Sequence, residues 1–445
     1  MLARKPISAD QVASSSAILL AETLIRLSAT AAVSFWIARR LGPSQFGILN
    51  FASAFASILL TIAAMGMDTP VVLRLTSTTQ RGSLLAWVFF LRLLCGLILF
   101  AFASAAIFWM RRNDPVAITV GVIVSLSIIA NAPTVFDYWF KAHTVAGPPA
   151  IARTVGTLGA VIAKVICLAA GLGVVALAWT VTLEYFLTGI ALTTAYFIVA
   201  GRFGGFKASI DLELIKSLLK EGTPYMWSAA AIIIYMKIDV VMLGYLSSDA
   251  QTGIYSLAQK LSEVVYLVPV VLIDSAYPAL ARLHIDSEGD DLAHGQLLFD
   301  LAVGGALVAT IASVLLAGPV IHWLFGAAYD QAVTIFVVHA WSCIAIATNQ
   351  ARLRWFAVSN LQRYAPLVTG IGLALNVVAN AYLIPSMGAM GAALATLLSY
   401  FISGYLTSFM FRDLWAIGAM QTRALWPWKR LSIGARIWHN KRGLA

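Results

Sequence analysis

The sequence predicts an all-α integral membrane protein with about twelve transmembrane helices, six in each half of the chain. The 445 residues are 60% hydrophobic and only 11% charged, whereas soluble globular domains carry about 25% charged residues. The apolar residues form runs of roughly 20 residues, and a run of that length crosses the ~30 Å hydrocarbon core as a helix. A hydrophobic pattern also occurs twice, once in each half.

The repeated pattern has a constant offset. The segment Gly-Ile-Leu-Asn-Phe-Ala at 47–52 is echoed by Gly-Ile-Tyr-Ser-Leu-Ala at 253–258, and Asp68 is echoed by Asp274. Both counterparts lie 206 residues further along the chain (47 to 253 and 68 to 274). Two halves of similar build enclose a pathway in many membrane proteins, so the pattern predicts a transporter.

Apolar runs bounded by glycine, proline or charge define the spans. They are 12–38, 45–67, 84–109, 115–140, 147–170, 174–200, 223–246, 252–281, 298–317, 331–350, 363–384 and 388–411. The first span is about 27 residues long and holds Glu22 and Arg26, unlike the short apolar core of a cleavable signal. We therefore expect this span to remain in the protein.

The basic residues predict the orientation. Of 30 Lys and Arg residues, 20 lie in segments that are cytoplasmic if the N-terminus is inside, against four (Arg39, Arg40, Arg111 and Arg112) on the other side. This bias predicts that both termini are cytoplasmic. It also accounts for most of the net charge of +10, so we do not interpret that charge as a nucleic-acid site.

These features divide the chain into an N-terminal six-helix bundle (1–200), a cytoplasmic linker (201–222), a C-terminal six-helix bundle (223–411) and a basic, Trp-rich cytoplasmic tail (412–445). In the linker, Leu214, Ile215, Leu218 and Leu219 share one helical face, which predicts a short interfacial helix. In the tail, tryptophans interleave with basic residues, which is typical of a segment anchored on the anionic inner leaflet.

Several functions are excluded or disfavoured. The loops are too short to fold into a catalytic or nucleotide-binding domain, and no Gly-rich loop ending in Lys-Ser or Lys-Thr is present. We therefore predict no enzymatic activity and no cofactor. The acidic run 284–294 favours a solvated loop over a metal site. The cysteines Cys95, Cys167 and Cys343 lie in separate spans and indicate neither a disulfide nor a metal site.

Ionisable residues within the spans are the candidate functional groups, because a charge at membrane depth costs at least about 2.5–3.5 kcal/mol and persists where it faces a partner or water. The embedded cations are Arg26, Arg92, Arg153, Lys164, Lys237 and Lys260. The embedded acids are Glu22, Glu184, Asp239 and Glu263.

Each candidate also has a purely structural interpretation. Arg153 and Arg92 are placed to reach the headgroups with their long side chains. Glu22 with Arg26, and Lys260 with Glu263, have the spacing of neutralised pairs on one helix. Lys237 and Lys164 lie too deep for this, and we expect both to face water.

The sign of these charges predicts the cargo. Cations on the first, seventh and eighth spans would converge if the two halves face each other, which suits a phosphate or carboxylate group. Trp36, Trp227, Tyr235 and Tyr255 could stack on sugar rings or serve as ordinary interfacial anchors. Pro269, in the middle of the eighth span, is the candidate hinge; a static kink is the alternative.

Four segments carry a resemblance to a known family. They are Ala-Arg-Arg-Leu-Gly-Pro-Ser-Gln-Phe-Gly (38–47), Lys-Ile-Asp-Val-Val-Met-Leu-Gly (237–244), Gly-Ile-Tyr-Ser-Leu-Ala-Gln-Lys-Leu (253–261) and Gly-Ala-Met-Gly-Ala-Ala (388–393). In this order they resemble bacterial polysaccharide-unit flippases of the Wzx type, which belong to the multidrug, oligosaccharidyl-lipid and polysaccharide exporter superfamily. The resemblance covers nearly the whole chain.

The resemblance implies two six-helix bundles around a central cavity that works by alternating access in the bacterial inner membrane. It implies a lipid-linked oligosaccharide as cargo, carried on undecaprenyl pyrophosphate for O-antigen, capsule or exopolysaccharide synthesis, with polysaccharide polymerase machinery as a partner. Arg26, Lys237, Lys260, Lys164 and Arg92 are then the candidates for binding the pyrophosphate. Glu22, Asp239 and Glu263 are candidates for coupling to H⁺ or Na⁺.

Two other classes compete with this interpretation. A cation-coupled multidrug antiporter of the same superfamily favours cationic cargo and an acidic cavity, the reverse of the charges found here. A membrane glycosyltransferase or polymerase needs acidic catalytic residues on a large external loop, and this chain has no such loop.

Overall fold

The computed structural model describes residues 9–77, 81–200, 212–286 and 291–426. These residues form helices and connecting turns, with no β-strand among them. The side chains of residues 9–29, which include Glu22 and Arg26, lie outside the described part. Packing divides the chain into two compact units, residues 1–253 (unit 1) and 254–445 (unit 2).

Within its described residues, unit 1 has eight complete α-helices. They are α1 (Ala9–Ala63), α2 (Asp68–Ser77), α3 (Arg81–Met110), α4 (Pro115–Ala130), α5 (Phe136–Ala142), α6 (Gly147–Ala169), α7 (Val174–Ala200) and α8 (Leu212–Leu246). Helix α9 (Asp249–Asp286) begins in unit 1 and continues into unit 2.

The described residues of unit 2 form seven further α-helices. They are α10 (Asp291–Phe325), α11 (Asp330–Ala340), α12 (Ser342–Val358), α13 (Ala365–Met387), α14 (Ala389–Phe401), α15 (Thr407–Met410) and α16 (Trp415–Leu425). A π-helical turn at Ile402–Leu406 joins α14 to α15.

The prediction of about twelve membrane helices is confirmed. Eleven stretches of the described chain are long and apolar enough to cross a membrane, and the first of them, 32–76, contains the end of the first predicted span and the whole second span. Large apolar side chains on these helices point outward, such as Leu315 (74% exposed) and Trp323 (77% exposed). Such surfaces require lipid around them, so the chain is a multi-pass membrane protein.

Local sequence explains the helix boundaries. Gly42 has a φ of 72° inside α1, a conformation that glycine adopts without steric cost. Pro43 follows it and has no N–H to donate. The first two predicted spans therefore meet at a sharp break within α1. At α4, Pro115 occupies the first turn, and the Asp114 carboxylate accepts the Ala117 N–H at 3.0 Å, which stabilises the helix start.

Helix α8 packs antiparallel along the second half of α1. Gly222 lies against the backbone of Gly66 near one end, and Gly244 lies against the ring of Phe51 near the other. The glycines let the two helices approach closely over the full width of the membrane. The helix predicted in the linker exists, but it continues without a break into the seventh span as part of α8. Residues 201–211 of the linker lie outside the described part.

Helix α16 is the described part of the predicted tail. Ile417, Met420 and Ala424 are buried on one face of α16, which packs on α10, while Trp415 and Arg423 are exposed on the other. The amphipathic pattern thus fixes α16 to the bundle by its apolar face. Residues 427–445, with Trp428 and Trp438, lie outside the described part.

Candidate functional site

The deep candidates of the seventh span lie on α8. Asp239 is 2% exposed and Lys237 is half-buried. Since helical residues two positions apart point in different directions, the acid and the base face different surroundings. Both are held at membrane depth, where an ionisable side chain marks a functional site by default.

Lys164 has an acidic neighbour that the sequence did not reveal. Its Nζ lies 3.7 Å from an Oε of Glu184 on α7, and the same carboxylate accepts the Thr157 hydroxyl at 2.9 Å. The Lys164 side chain is largely buried. Lys164 was expected to face water because its own helix offers no acid within one turn; the acid comes from the adjacent helix instead.

Arg92 is buried rather than extended toward the headgroups. It is 4% exposed, its Nη1 donates to the Tyr138 hydroxyl at 3.3 Å, and its guanidinium carbon lies 5.9 Å from the centre of the Tyr138 ring. Arg153, the other arginine placed to reach the headgroups, has its Nη1 3.4 Å from a carboxylate oxygen of Asp137.

The candidates of the eighth span lie on the unit 2 part of α9. Lys260 and Glu263 are half-buried, and Pro269 is buried in the same continuous helix. The i, i+3 spacing places Lys260 and Glu263 on one side of the helix. The hinge at Pro269 stays a prediction.

An ion pair occurs at corresponding places in both units. In unit 1, Lys141 donates to both carboxylate oxygens of Asp68 at 3.0 and 2.9 Å. In unit 2, Arg354 donates through Nε to Asp274 at 3.0 Å, with Nη2 2.9 Å from the same oxygen. The sequence repeat singled out the two aspartates, and the structure adds their cationic partners. Each pair ties a helix to another helix of the same unit at the end that is predicted to be cytoplasmic.

We expect the pair in unit 2 to contribute modestly to stability. Arg354→Glu should lower the free energy of unfolding by about 1 kcal/mol, because it replaces attraction by repulsion at a partly exposed site. The double reversal Asp274→Arg with Arg354→Glu should restore most of that loss. Unfolding of the purified protein by sodium dodecyl sulfate measures both effects. A double variant that is as unstable as the single one would show that the ion pair does not stabilise the protein.

A second group of contacts lies at the opposite end of unit 1. Arg111 donates to the carbonyl of Gly244 at 2.6 Å and to the Asp249 carboxylate, and its guanidinium lies 5.0 Å from the Phe51 ring centre. It thus joins the end of α3 to α1, α8 and α9. Sequence reasoning counted Arg111 as a loop charge, and only its closeness to the end of a span could have suggested a contact.

Beside Arg111, two glycines of the repeated segment meet. A methyl group on Gly47 would overlap the Asp249 carbonyl, and one on Gly253 would overlap the Pro43 carbonyl. The two backbones therefore touch without intervening side chains. Buried polar contacts and close helix packing together hold α1 against the start of α9 in this arrangement.

A polar pocket of about 480 Å³ opens next to these contacts in unit 1. Trp109 and Tyr245 stack at its side with ring centres 6.0 Å apart. Arg112 and Asn113 are exposed there. Stacked rings beside polar side chains are able to contact a ligand that has both an apolar face and hydroxyl groups.

Two buried polar groups in unit 2 escaped sequence reasoning. Arg352 follows the predicted span 331–350 on its cytoplasmic side, where the sequence predicts an exposed charge, yet its side chain is fully buried between α12 and the π-helical turn. His339 on α11 is 2% exposed and contacts two tyrosine hydroxyls. Neither residue stands in a motif, so burial was the only signal and it is not visible in the sequence. Within the described residues, no group of three His, Cys, Asp or Glu side chains is arranged to hold a metal ion.

The chain is similar to known membrane proteins. The polysaccharide biosynthesis protein family matches residues 12–284, more than half of the chain. The probable flippase AglR of Haloferax volcanii is 28% identical over 173 residues, which are 37% of this chain and 35% of AglR. The probable low-salt glycan biosynthesis flippase Agl15 of the same organism is 23% identical over 394 residues, 84% of this chain and 79% of Agl15. The chain thus spans about a third of the first relative and most of the second.

Two solved structures share the fold. The lipid II flippase MurJ in an inward closed conformation matches with a TM-score of 0.70 and 13% identity, covering 91% of this chain and 90% of MurJ. An inward-facing multidrug resistance MATE family transporter of the MOP superfamily matches with a TM-score of 0.67 and 13% identity, covering 89% of this chain and 96% of the transporter. The predicted fold class is therefore confirmed.

Proposed function

Since the chain belongs to the polysaccharide biosynthesis protein family, with the resemblance to Wzx-type flippases confirmed, we propose that it flips undecaprenyl-pyrophosphate-linked oligosaccharides across the bacterial inner membrane. The units would serve O-antigen, capsule or exopolysaccharide synthesis. The family match over most of unit 1, on a chain with the fold of MurJ, is the observation that carries this proposal. The protein is a transporter and not an enzyme.

The embedded cations support a pyrophosphate-bearing cargo. Lys237 and Lys260 are half-buried on α8 and α9 at membrane depth, where a fixed positive charge is costly unless it serves a ligand or a partner. A pyrophosphate group offers several charged oxygens to such donors. Lys164 contacts Glu184, Arg92 contacts Tyr138, and Arg26 remains a candidate from the sequence.

Alternating access of two six-helix bundles around a central cavity, with both termini in the cytoplasm, is the mechanism that we propose. The embedded acids Asp239, Glu263 and Glu22 are the candidates for coupling transport to H⁺ or Na⁺, and a flipping rate that ignores both ion gradients would remove them. Polysaccharide polymerase machinery would receive the flipped units.

A multidrug antiporter is the second candidate, because a MATE transporter shares the fold. The charges separate the two functions. The candidate site contains the cations Lys237 and Lys260, and a cationic drug would be repelled by the site that a pyrophosphate favours.

Deletion of the gene in its host tests the proposal. We expect loss of surface glycan and accumulation of carrier-linked repeat units on the cytoplasmic side, with both restored by the wild type. Lys237→Ala should slow flipping about 10- to 100-fold, because a charge-assisted contact contributes about 1.5–3 kcal/mol. Lys216→Ala, which changes an exposed lysine on the same helix, is the matched control. Unchanged glycan with altered drug sensitivity would favour the antiporter.

A further inference from the structure

An ionisable side chain inside unit 2 has two alternative hydrogen-bond arrangements. His339 lies within the membrane-spanning stretch 327–358. The Tyr266 hydroxyl oxygen is 2.7 Å from His339 Nδ1 and 3.0 Å from the backbone carbonyl oxygen of His339. The Tyr255 hydroxyl lies on the other side of the ring, 3.5 Å from Nε2.

This geometry suits both protonation states of the imidazole. In the neutral ring, the Tyr266 hydroxyl donates to Nδ1 and Nε2–H points to the Tyr255 oxygen. In the protonated ring, Nδ1–H donates to the Tyr266 oxygen, and the Tyr266 hydroxyl donates to the His339 carbonyl instead. A rotation of one hydroxyl hydrogen, with no movement of heavy atoms, changes one arrangement into the other.

The hydrogen bonds continue from His339 to other helices. The Tyr255 hydroxyl lies 3.1 Å from the Thr396 hydroxyl on α14. Ser399 donates to the Thr396 carbonyl at 3.0 Å and accepts from Asn376 on α13 at 3.3 Å. The imidazole is thus connected by hydrogen bonds to α9 and α14, and the backbone carbonyl of Thr396 makes a separate contact with Ser399, which in turn contacts α13.

The groups facing this site come from each helix packed around it. Besides Tyr255 and Tyr266, the titratable side chains in electrostatic reach of the Tyr266 hydroxyl are Glu263 on α9, Cys343 on α12 and Tyr400 on α14. On α10, the uncharged Thr310 donates to the Ala340 carbonyl. Among these groups, Glu263 is the carboxylic acid.

We propose that His339 binds the proton that drives transport, with Tyr266 as the positioning residue that accommodates both forms. This inference rests on the proposed function and names its coupling ion. Nδ1 takes a proton from water on one side of the membrane and returns it to water on the other, so the net change per cycle is one proton moved.

Reconstituted vesicles test the proposal. The full-length protein is placed in vesicles that contain lipid-linked oligosaccharide extracted from the deletion strain, and outer-leaflet glycan is measured by oxidation with impermeant periodate. If one proton is exchanged for each lipid-linked glycan, the steady-state ratio of glycan between the two leaflets should change about tenfold for each pH unit of difference across the membrane. One pH unit corresponds to a tenfold ratio of proton activity.

His339→Gln should still equilibrate the lipid-linked glycan but show no dependence on the pH gradient. Tyr266→Phe, which keeps the ring and removes the alternative hydrogen bond, should lose the dependence as well. His322→Gln is the control, because it changes an exposed histidine of the same unit that lies 3.1 Å from Asp330. These results, with wild-type behaviour in the control, would support the proposal.

The contrary outcomes are distinct. A gradient-driven ratio that persists in His339→Gln overturns the role of His339. A wild type that flips the lipid but ignores the pH gradient overturns proton coupling and leaves the flippase function standing. A wild type that does not move the lipid overturns the proposed function, and this inference with it.

Discussion

Gly253→Ala is expected to disrupt the close contact between α1 and the start of α9. The new methyl group would overlap the Pro43 carbonyl oxygen and lie 3.0 Å from the Gly47 nitrogen. Backbone atoms cannot swing aside as a side chain can, so the helices must separate. Overpacking of this kind costs about 2 kcal/mol, which lowers the population of the arrangement about thirtyfold.

Spin labels measure this separation. Cysteines at Arg40 and Ser248, both exposed in unit 1, in a protein whose native cysteines are replaced, should show a longer distance in the variant. If the close contact between α1 and the start of α9 forms in one step of the transport cycle, the flipping rate should also fall in the variant. Gly304→Ala is the control, because a Cβ there meets no atom within 4 Å. An unchanged distance would contradict the expected clash.

Arg352→Met is expected to produce the largest loss of stability. The Arg352 guanidinium donates through Nη1 to Thr407 and Ser408 at 2.8 and 3.0 Å, and through Nη2 to Asn349 and the Ser403 carbonyl, both at 2.6 Å. Methionine fills similar volume but leaves these groups without their donor. A loss of about 3 kcal/mol in the free energy of unfolding follows from the desolvation of buried polar groups.

The effect should be specific to the buried position. Arg352→Lys, which keeps the charge but not the planar fork, should be intermediate. Arg423→Met on the exposed face of α16 should change stability little. Unfolding by sodium dodecyl sulfate compares the variants. A methionine variant as stable as the wild type would show that the π-helical turn does not depend on the arginine.

The hydrophobic runs were sufficient to predict the membrane helices. Each run is long enough to satisfy its own backbone hydrogen bonds in lipid, so its helical state depends on local sequence alone. The break at Gly42 and Pro43 could also be predicted from local sequence, because glycine and proline both interrupt a helix. The helix predicted in the linker also exists, from Leu212 onward, although its continuity with the seventh span depends on packing against α1.

The partners of the charges could not be predicted in this way. Lys164 on α6 contacts Glu184 on α7, and Lys141 contacts Asp68, from which it is 73 residues apart in the sequence. Arg111 and Arg352 lie at span ends, where sequence alone favours exposure, but neighbouring helices bury them. Which groups meet depends on helix rotation, and apolar spans with charges on several faces do not determine it.

The meeting of Gly47 with Gly253 has an implication for the origin of the chain. These two positions correspond to one another in the repeat of 206 residues, and they touch. In a half-length precursor that paired with its own copy, a single glycine would have faced itself across a twofold axis. After gene duplication and fusion, the constraint on that one residue would become a constraint on two. Neither glycine could then gain a side chain unless the other helix moved.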